Sequence, residues 1–405
     1  MESTSMADGD DSNRPWPQAL QSLRVLDLST LFSAPHIGAL LGDMGADVIK
    51  IEPKGGDPLR QLGVKRDGLS LMFAMAGRNK RSITLDLSSP QGRAVFRRLL
   101  EEWGDVVIEN FPEPLLRRWG LTYAELAEIQ PRLVMISVTG YGREGPYKDR
   151  PGAGGVAEAF GGLSHMTGEA DGPPMLASVA VGDLMAPLWG TIGALAACYY
   201  RDASAGTGQH VDVAMYEPVL SLVAGAIASY GGPGPAPSRR GNRPAGASIR
   251  NAYCSQDGKW LVISANTKQQ VSRLQTLIEG EVEAGSAPWG PDGDAADAVI
   301  AAWIAARPWR EAYGQLLDVR IPVAPANDVG ALIDDPHVRH RHSIQPLDDE
   351  RLGRMHLVGP PKMSFTPGHA RWLAPPPGAH NWEIYGGLLG MSRGEMKQLE
   401  ENGVI

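Results

Sequence analysis

The chain has 405 residues, 43% of them hydrophobic and 21% charged, with a formal net charge of −8. This length predicts two domains rather than one core, and the acidic balance argues against nonspecific nucleic-acid binding. Two cysteines, Cys198 and Cys254, stand far apart without metal-ligand spacing, which excludes a disulfide framework and fits a reduced, cytoplasmic setting.

Residues 1–15 are polar and acidic with no apolar h-region, and read as a disordered tail rather than a signal peptide. The first regular unit is β-α-β. A buried strand is expected over 23–28, a helix over 35–44 ending at Gly45, and a second strand over 47–52, which implies parallel strands and a right-handed crossover. Further strands are expected at 81–87, 105–110 and 133–138. Helices fall between them at 90–103, opened by Ser88 or Ser89, and at 122–129. This alternation predicts a doubly wound α/β sheet.

Asp183 follows at the start of an apolar stretch, 184–200, that has no charged residue. A carboxylate there meets free backbone N–H groups and the positive end of the helix dipole, so it stays ionised. It can then act as a nucleophile toward an activated acyl group, although local sequence alone reads more simply as an N-cap. The stretch itself is at the lower limit for spanning a membrane and contains Pro187, Gly190 and Gly193, so it is expected to be a buried core helix. A strand at 209–214 and an apolar helix over 217–229 come next. Composition then shifts to Gly, Pro and Arg over 231–246, a linker or active-site loop. A small domain begins near 248, with a strand at 259–265 and helices near 269–278 and 295–306, and the chain leads back out at 321–325. Gly290 to Gly293 reads as a turn. Short strands, a Pro-rich stretch at 374–378 and a last helix at 393–402 complete the chain.

The loop after the first strand, Ser29-Thr30-Leu31-Phe32-Ser33-Ala34-Pro35, lacks G-x-G-x-x-G, which weakens a nicotinamide-dependent reading. Basic residues gather at Lys54 and Arg60, at Arg78, Lys80 and Arg81, and at Arg117 and Arg118. Together they suit an anionic, phosphate-bearing ligand, while each alone reads more simply as solvated surface charge. The histidines show no metal pattern, and His36 and His165 read as structural.

These motifs, in order, resemble the family III CoA-transferases, which also include α-methylacyl-CoA racemases. The marks are Val25-Leu26-Asp27-Leu28, Gly45-Ala46-Asp47-Val48-Ile49-Lys50-Ile51-Glu52-Pro53, Asn79-Lys80-Arg81-Ser82-Ile83-Thr84-Leu85-Asp86, Val107-Ile108-Glu109-Asn110-Phe111, Thr139-Gly140-Tyr141-Gly142, Gly182-Asp183 and Ile321-Pro322-Val323-Ala324-Pro325. The resemblance implies an interlocked homodimer. Each chain would have a Rossmann-like large domain built from both chain ends (16–230 and 328–405), a linker at 231–247, and a smaller inserted α/β domain at 248–327.

It also implies that Asp183 attacks an acyl-CoA thioester and passes through anhydride and aspartyl-CoA intermediates. Thr30, Leu31 and Ser33 would line the thioester. Asn110, Phe111 and Arg118 would contact CoA, and Lys80 and Arg81 would lie on its nucleotide side. CoA would be a substrate, with no permanently bound cofactor, metal, nucleic acid or membrane. Phe32 and Pro53 depart from the formyl-CoA:oxalate branch, and the family's Gly-Glu-His-Thr becomes Gly378-Ala379-His380-Asn381. The racemases need a second acid/base group in the loop Arg150-Pro151-Gly152-Ala153-Gly154-Gly155, which here has no ionisable side chain beyond Arg150. Transferase is therefore the expected activity, with racemase or a silent CoA-binding protein as the alternatives. Arg239, Arg240, Arg243 and Arg250 form a basic segment that would suit a dicarboxylic acid, or would simply be solvated.

Overall fold

The computed structural model describes residues 17–232, 237–243, 249–280 and 294–405. The expected N-terminal tail and the turn at 290–293 lie outside the described residues, as does part of the linker. By compactness the chain forms two units. The first runs to Ala157, resumes over Ala180–Val219 and ends with Arg339–Ile405; the second comprises Glu158–Val179 and Leu220–Val338. Residues 158–179 and 220–230 thus group with the second unit, where the sequence reading keeps them in the first.

The first unit is built on six strands: β1 (Arg24–Asp27), β2 (Asp47–Glu52), β3 (Lys80–Thr84), β4 (Val106–Glu109), β5 (Val134–Thr139) and β6 (His210–Ala214). They pair in the order β3-β2-β1-β4-β5-β6, and every pairing is parallel. This is the doubly wound order, which places a topological switch point between β1 and β4. Register sets the two faces. Val25 lies across from Val48 and Val106, and Val106 from Val134, forming one buried row. Leu26, Ile49, Val107 and Met135 form the opposite row. Both faces are covered, which is why these strands read as nearly continuous apolar runs.

Helix α1 (Ser33–Asp43) packs Ile37 and Leu41 onto the valine row. Helix α2 (Pro90–Glu102), capped by Ser89, packs Phe96 and Leu99 onto the other. Burying one such side chain stabilises the fold by roughly 1.5–3 kcal/mol. Helix α3 (Glu113–Trp119) follows β4 and ends at Gly120 in the left-handed region. Helix α4 (Val181–Tyr200) sets small residues against α1 and the sheet. A side chain at Gly190 would start 2.5 Å from Ile37, and one at Gly193 would start 2.6 Å from Val211.

The expectation that α4 is a buried core helix is corrected by its other side. Leu184, Leu188, Ile192 and Tyr199 recur at helical spacing and are exposed, Tyr199 to 75%. The helix expected over 217–229 is also two, Tyr216–Leu222 and Ala224–Ser229, interrupted at Val223.

The outer edge of β3 is closed by the C-terminal segment instead of a seventh strand. The Ser82 N–H donates to His380 Nδ1 (3.1 Å), and the His380 N–H donates to the Ser82 carbonyl (2.9 Å). The Thr84 N–H donates to Asn381 Oδ1 (3.0 Å), and the Tyr385 hydroxyl donates to the Thr84 carbonyl (2.6 Å). Side chains thereby satisfy a ladder that would otherwise be an open edge.

The second unit has a three-stranded antiparallel sheet of Ile249–Cys254, Trp260–Ala265 and Val323–Pro325. Helices Lys268–Glu279, Asp294–Ala305 and Trp309–Asp318 surround its core of Leu261, Ile263, Leu274 and Leu316.

Candidate active site

Asp183 is the third residue of α4, in its first turn; the N-cap is Ala180, which supplies no side-chain cap. The capping reading of Asp183 is therefore corrected, while the favourable placement of a carboxylate at a helix start holds. The glycine-rich segment 150–155, whose last two residues open a helix over Gly154–Phe160, folds directly onto it. A side chain at Gly152 would start 2.3 Å from Gly140 Cα, so two backbones cross in contact there. A side chain at Gly154 would start 2.4 Å from Asp183 Oδ2, and one at Gly182 would start 2.6 Å from the Gly154 carbonyl. Only glycine allows this approach. The loop therefore faces the carboxylate with backbone and offers no acid or base at Gly154.

At the switch point, the residues expected to line the thioester form one braced loop. Asn110, just past β4, spans it: its Oδ1 accepts from the Thr30 N–H (2.8 Å) and its Nδ2 donates to the Thr30 carbonyl (2.9 Å). Leu31 is held at φ +67°, an uncommon conformation for a branched side chain, with its side chain 44% exposed. Ser33 Oγ is buried and has no hydrogen-bond partner among the described residues. Phe111 packs edge-on to Trp119, and its N–H donates to Glu109 Oε2 (2.8 Å). Glu109 is fully buried and meets Arg143 Nη2 at 2.5 Å; burial pushes its carboxyl upward, against the pull of that guanidinium. Arg143 also donates to the Phe111 carbonyl at 2.7 Å. Asn110 thus braces backbone with both ends of its amide, which sequence reading cast as a CoA contact.

The basic residues divide sharply. Lys80, expected in the segment on the nucleotide side of CoA, is fully buried, and its ammonium pairs with Asp27 at 2.8 Å. Arg81, expected in the same segment, lies in the same strand and is held by Asp47 and Glu383, both at 2.6 Å. Arg78 is likewise buried against Asp43. Arg118, in the last turn of α3, is exposed and has no ion-pair partner among the described residues. It keeps the free charge that a phosphate contact needs.

Beneath the loop at 29–33 lies a charge network that sequence reading missed. Asp27 pairs with Lys80, and Lys50 lies 3.9 Å from Asp27 and 3.4 Å from Asp57. Glu52 accepts from Arg60 and from Ser82 Oγ. Burial would raise the Asp27 carboxyl, but Lys50 and Lys80 outweigh it and hold the group below its usual range. Asp57 had a sequence signal: Asp before Pro58 is an N-cap with proline at the first helical position, and the Leu59 N–H donates to it at 2.8 Å.

In the second unit the basic segment is partly committed. Arg243 meets Asp297, which also accepts from Tyr253 OH and Asn251 Nδ2, both at 2.6 Å. Arg239 donates to the His165 carbonyl at 3.0 Å. Arg240 and Arg250 are exposed, with no ion pair among the described residues. The expectation of four available guanidinium groups reduces to these two.

The family model for CoA-transferase family III matches residues 20–381. The chain is 37% identical to the succinyl-CoA–D-citramalate CoA-transferase of Chloroflexus aurantiacus, over 97% of this chain and 100% of that protein. It is 36% identical to the beta subunit of the succinyl-CoA–L-malate CoA-transferase of the same organism, over 95% of this chain and 98% of that one. Among solved structures, a CAIB/BAIF family protein from Brucella suis superposes with a TM-score of 0.79 at 29% identity, covering 92% of this chain and 99% of that one. With this breadth of likeness, the chain belongs to CoA-transferase family III and is a CoA-transferase.

Proposed function

We propose that this enzyme moves CoA from a dicarboxylyl-CoA such as succinyl-CoA to a free dicarboxylic acid, through covalent intermediates on Asp183. The Asp183 carboxylate attacks the thioester carbonyl, the C–S bond breaks, and CoA leaves as thiolate with a mixed anhydride left behind. The thiolate attacks the aspartyl carbonyl, releasing the donor acid and forming an aspartyl-CoA thioester. The acceptor carboxylate attacks that thioester, again expelling thiolate, which then attacks the acceptor's acyl carbonyl. New acyl-CoA leaves and Asp183 is regenerated. Thioester and anhydride have similar acyl-transfer potential, so the exchange needs no ATP, and splitting it into steps lowers each barrier.

The observation that carries this reading is the glycine contact on Asp183. The carboxylate stands in the first turn of α4 with the Gly154 backbone against it, and no second acid/base side chain stands at that position. Proton abstraction and return on opposite faces of Cα needs such a pair, so the racemase reading loses its support. Dicarboxylate preference is supported by the two Chloroflexus relatives, whose names pair succinyl-CoA with citramalate and malate. Free Cys198 and Cys254 and the acyl-CoA substrate support a cytoplasmic setting.

The test is CoA exchange followed by mass spectrometry, with succinyl-CoA offered against a panel of mono- and dicarboxylic acids. Wild type is expected to form new dicarboxylyl-CoA, and Asp183→Ala to form none while still binding CoA. Undiminished exchange in Asp183→Ala would refute the mechanism, and equal rates with acetyl-CoA as donor would refute the substrate class. Homodimerisation belongs to the same reading, supported by the exposed stripe of Leu184, Leu188, Ile192 and Tyr199 on α4. Light scattering should give twice the chain mass, and a monomer at micromolar concentration would refute it.

A further inference from the structure

The geometry points to Asp57 as a positioning residue that holds Leu31 in its left-handed conformation and thereby shapes the loop Ser29–Ser33. The choice of substrate in the test rests on the acyl-CoA reading above; the positioning role does not. Asp57 is 1% exposed and is fixed in turn by its own N–H, which donates to Glu52 Oε2 at 2.9 Å. Its Oδ1 accepts two backbone N–H groups, Leu59 at 2.8 Å and Leu31 at 3.1 Å. Its Oδ2 faces Lys50 at 3.4 Å and has no hydrogen-bond partner among the described residues.

Three consecutive loop residues are each tied by a side chain from elsewhere in the sheet. The Ser29 N–H donates to Asp27 Oδ1 at 3.1 Å, and its carbonyl accepts from Lys50. Thr30 is bracketed by Asn110. Among the described residues, Asp57 is the hydrogen-bond partner of the Leu31 N–H, and the Leu31 side chain is half-exposed. A leucine at φ +67° persists only where its surroundings over-determine it. Here that constraint is the Asp57 carboxylate. Without it, Leu31 relaxes to the ordinary region and Thr30 and Phe32 turn with it.

Two roles for Asp57 are separable, accepting the Leu31 N–H and neutralising Lys50. Asp57→Asn keeps the acceptor and removes the charge, whereas Asp57→Ala removes both. Hydrogen exchange of the full-length enzyme reads the loop directly, and steady-state kinetics with succinyl-CoA reads its consequence. In Asp57→Ala, amides of segment 28–36 should exchange about 10-fold faster while strand β5 stays protected, and kcat/KM should fall about 10-fold. Asp57→Asn should keep loop protection and stay within about 3-fold of wild-type kcat/KM.

Unchanged loop exchange in Asp57→Ala would overturn the proposal. So would an Asp57→Asn enzyme with a loosened loop, and this arm decides the matter even if the alanine variant does not fold. Were no acid to accept CoA from the wild type, the substrate reading would fail while the exchange arms still judged Asp57.

Discussion

The switch point between β1 and β4 and the outer edge of β3 both fasten backbone with side chains, but with opposite chemistry. At the switch point the anchors are buried charges: Asp27, Lys50, Asp57, Glu109 and Arg143, with Asn110 as the neutral cross-piece. At the edge they are neutral groups from the C-terminal segment: the His380 imidazole, the Asn381 amide and the Tyr385 hydroxyl. A charged anchor is costly to desolvate and directional once paired, so it suits a loop that must hold one strained shape. A neutral anchor satisfies an edge at less cost. On the function proposed above, the difference separates a region that serves chemistry from one that serves closure. Changes at the first should reach activity before stability, and changes at the second the reverse.

The largest expected effect is the loss of transfer in Asp183→Ala. The next sharpens what holds that carboxylate in place. In Gly154→Ala the new methyl would begin 2.4 Å from Asp183 Oδ2 and 3.0 Å from the Asp183 backbone N, so side chain or loop must move. A misplacement of about 1 Å in a reacting group is worth about 100-fold, and kcat/KM with succinyl-CoA should fall by about that factor. Circular dichroism should still report a folded chain, since the loop rather than the sheet absorbs the shift. Activity within about 3-fold of wild type would mean the contact is incidental and would break the comparison at its catalytic end.

Much of this arrangement is legible in the sequence. The strands at 47–52 and 210–214 are found to within a residue, because apolar runs between turn signals are strong wherever both faces are buried. Asp183 is legible because a lone carboxylate ahead of an uncharged helix stands out. What sequence hides is pairing. Lys80 and Arg81 read as a basic cluster beside a strand, but successive strand residues point to opposite faces, and each finds carboxylates far away in the chain: Asp27 for one, Asp47 and Glu383 for the other. Gly154 is hidden differently, since a glycine in a glycine-rich loop announces a turn and not the carboxylate it touches. The grouping of 158–179 with the second unit has no local signal at all; it follows from long-range packing.

The smallest expected effect tests the neutral edge. His380 accepts the Ser82 N–H through Nδ1, which requires the unprotonated ring on that side. Burial lowers its pKa below the usual histidine value, with the nearby Glu383 pulling the other way. His36 is pushed down to about 3 by burial and by Arg78 and Lys80, and burial lowers His210 as well. The sign follows from linkage. Below about pH 6.5 the unfolded chain takes up protons on these three rings while the folded chain does not, so stability falls as pH drops through that range. Above it the histidines contribute nothing to the slope. The urea midpoint should therefore decline between about pH 6.5 and 4.5, before most carboxylates titrate. His380→Asn keeps an acceptor for Ser82 on a side chain that cannot titrate, and should flatten part of that decline while leaving kcat at pH 7.5 unchanged. An identical slope in the variant would show that His380 is protonated without loss of the edge, and a fall in kcat would show that the edge of β3 is not insulated from the site.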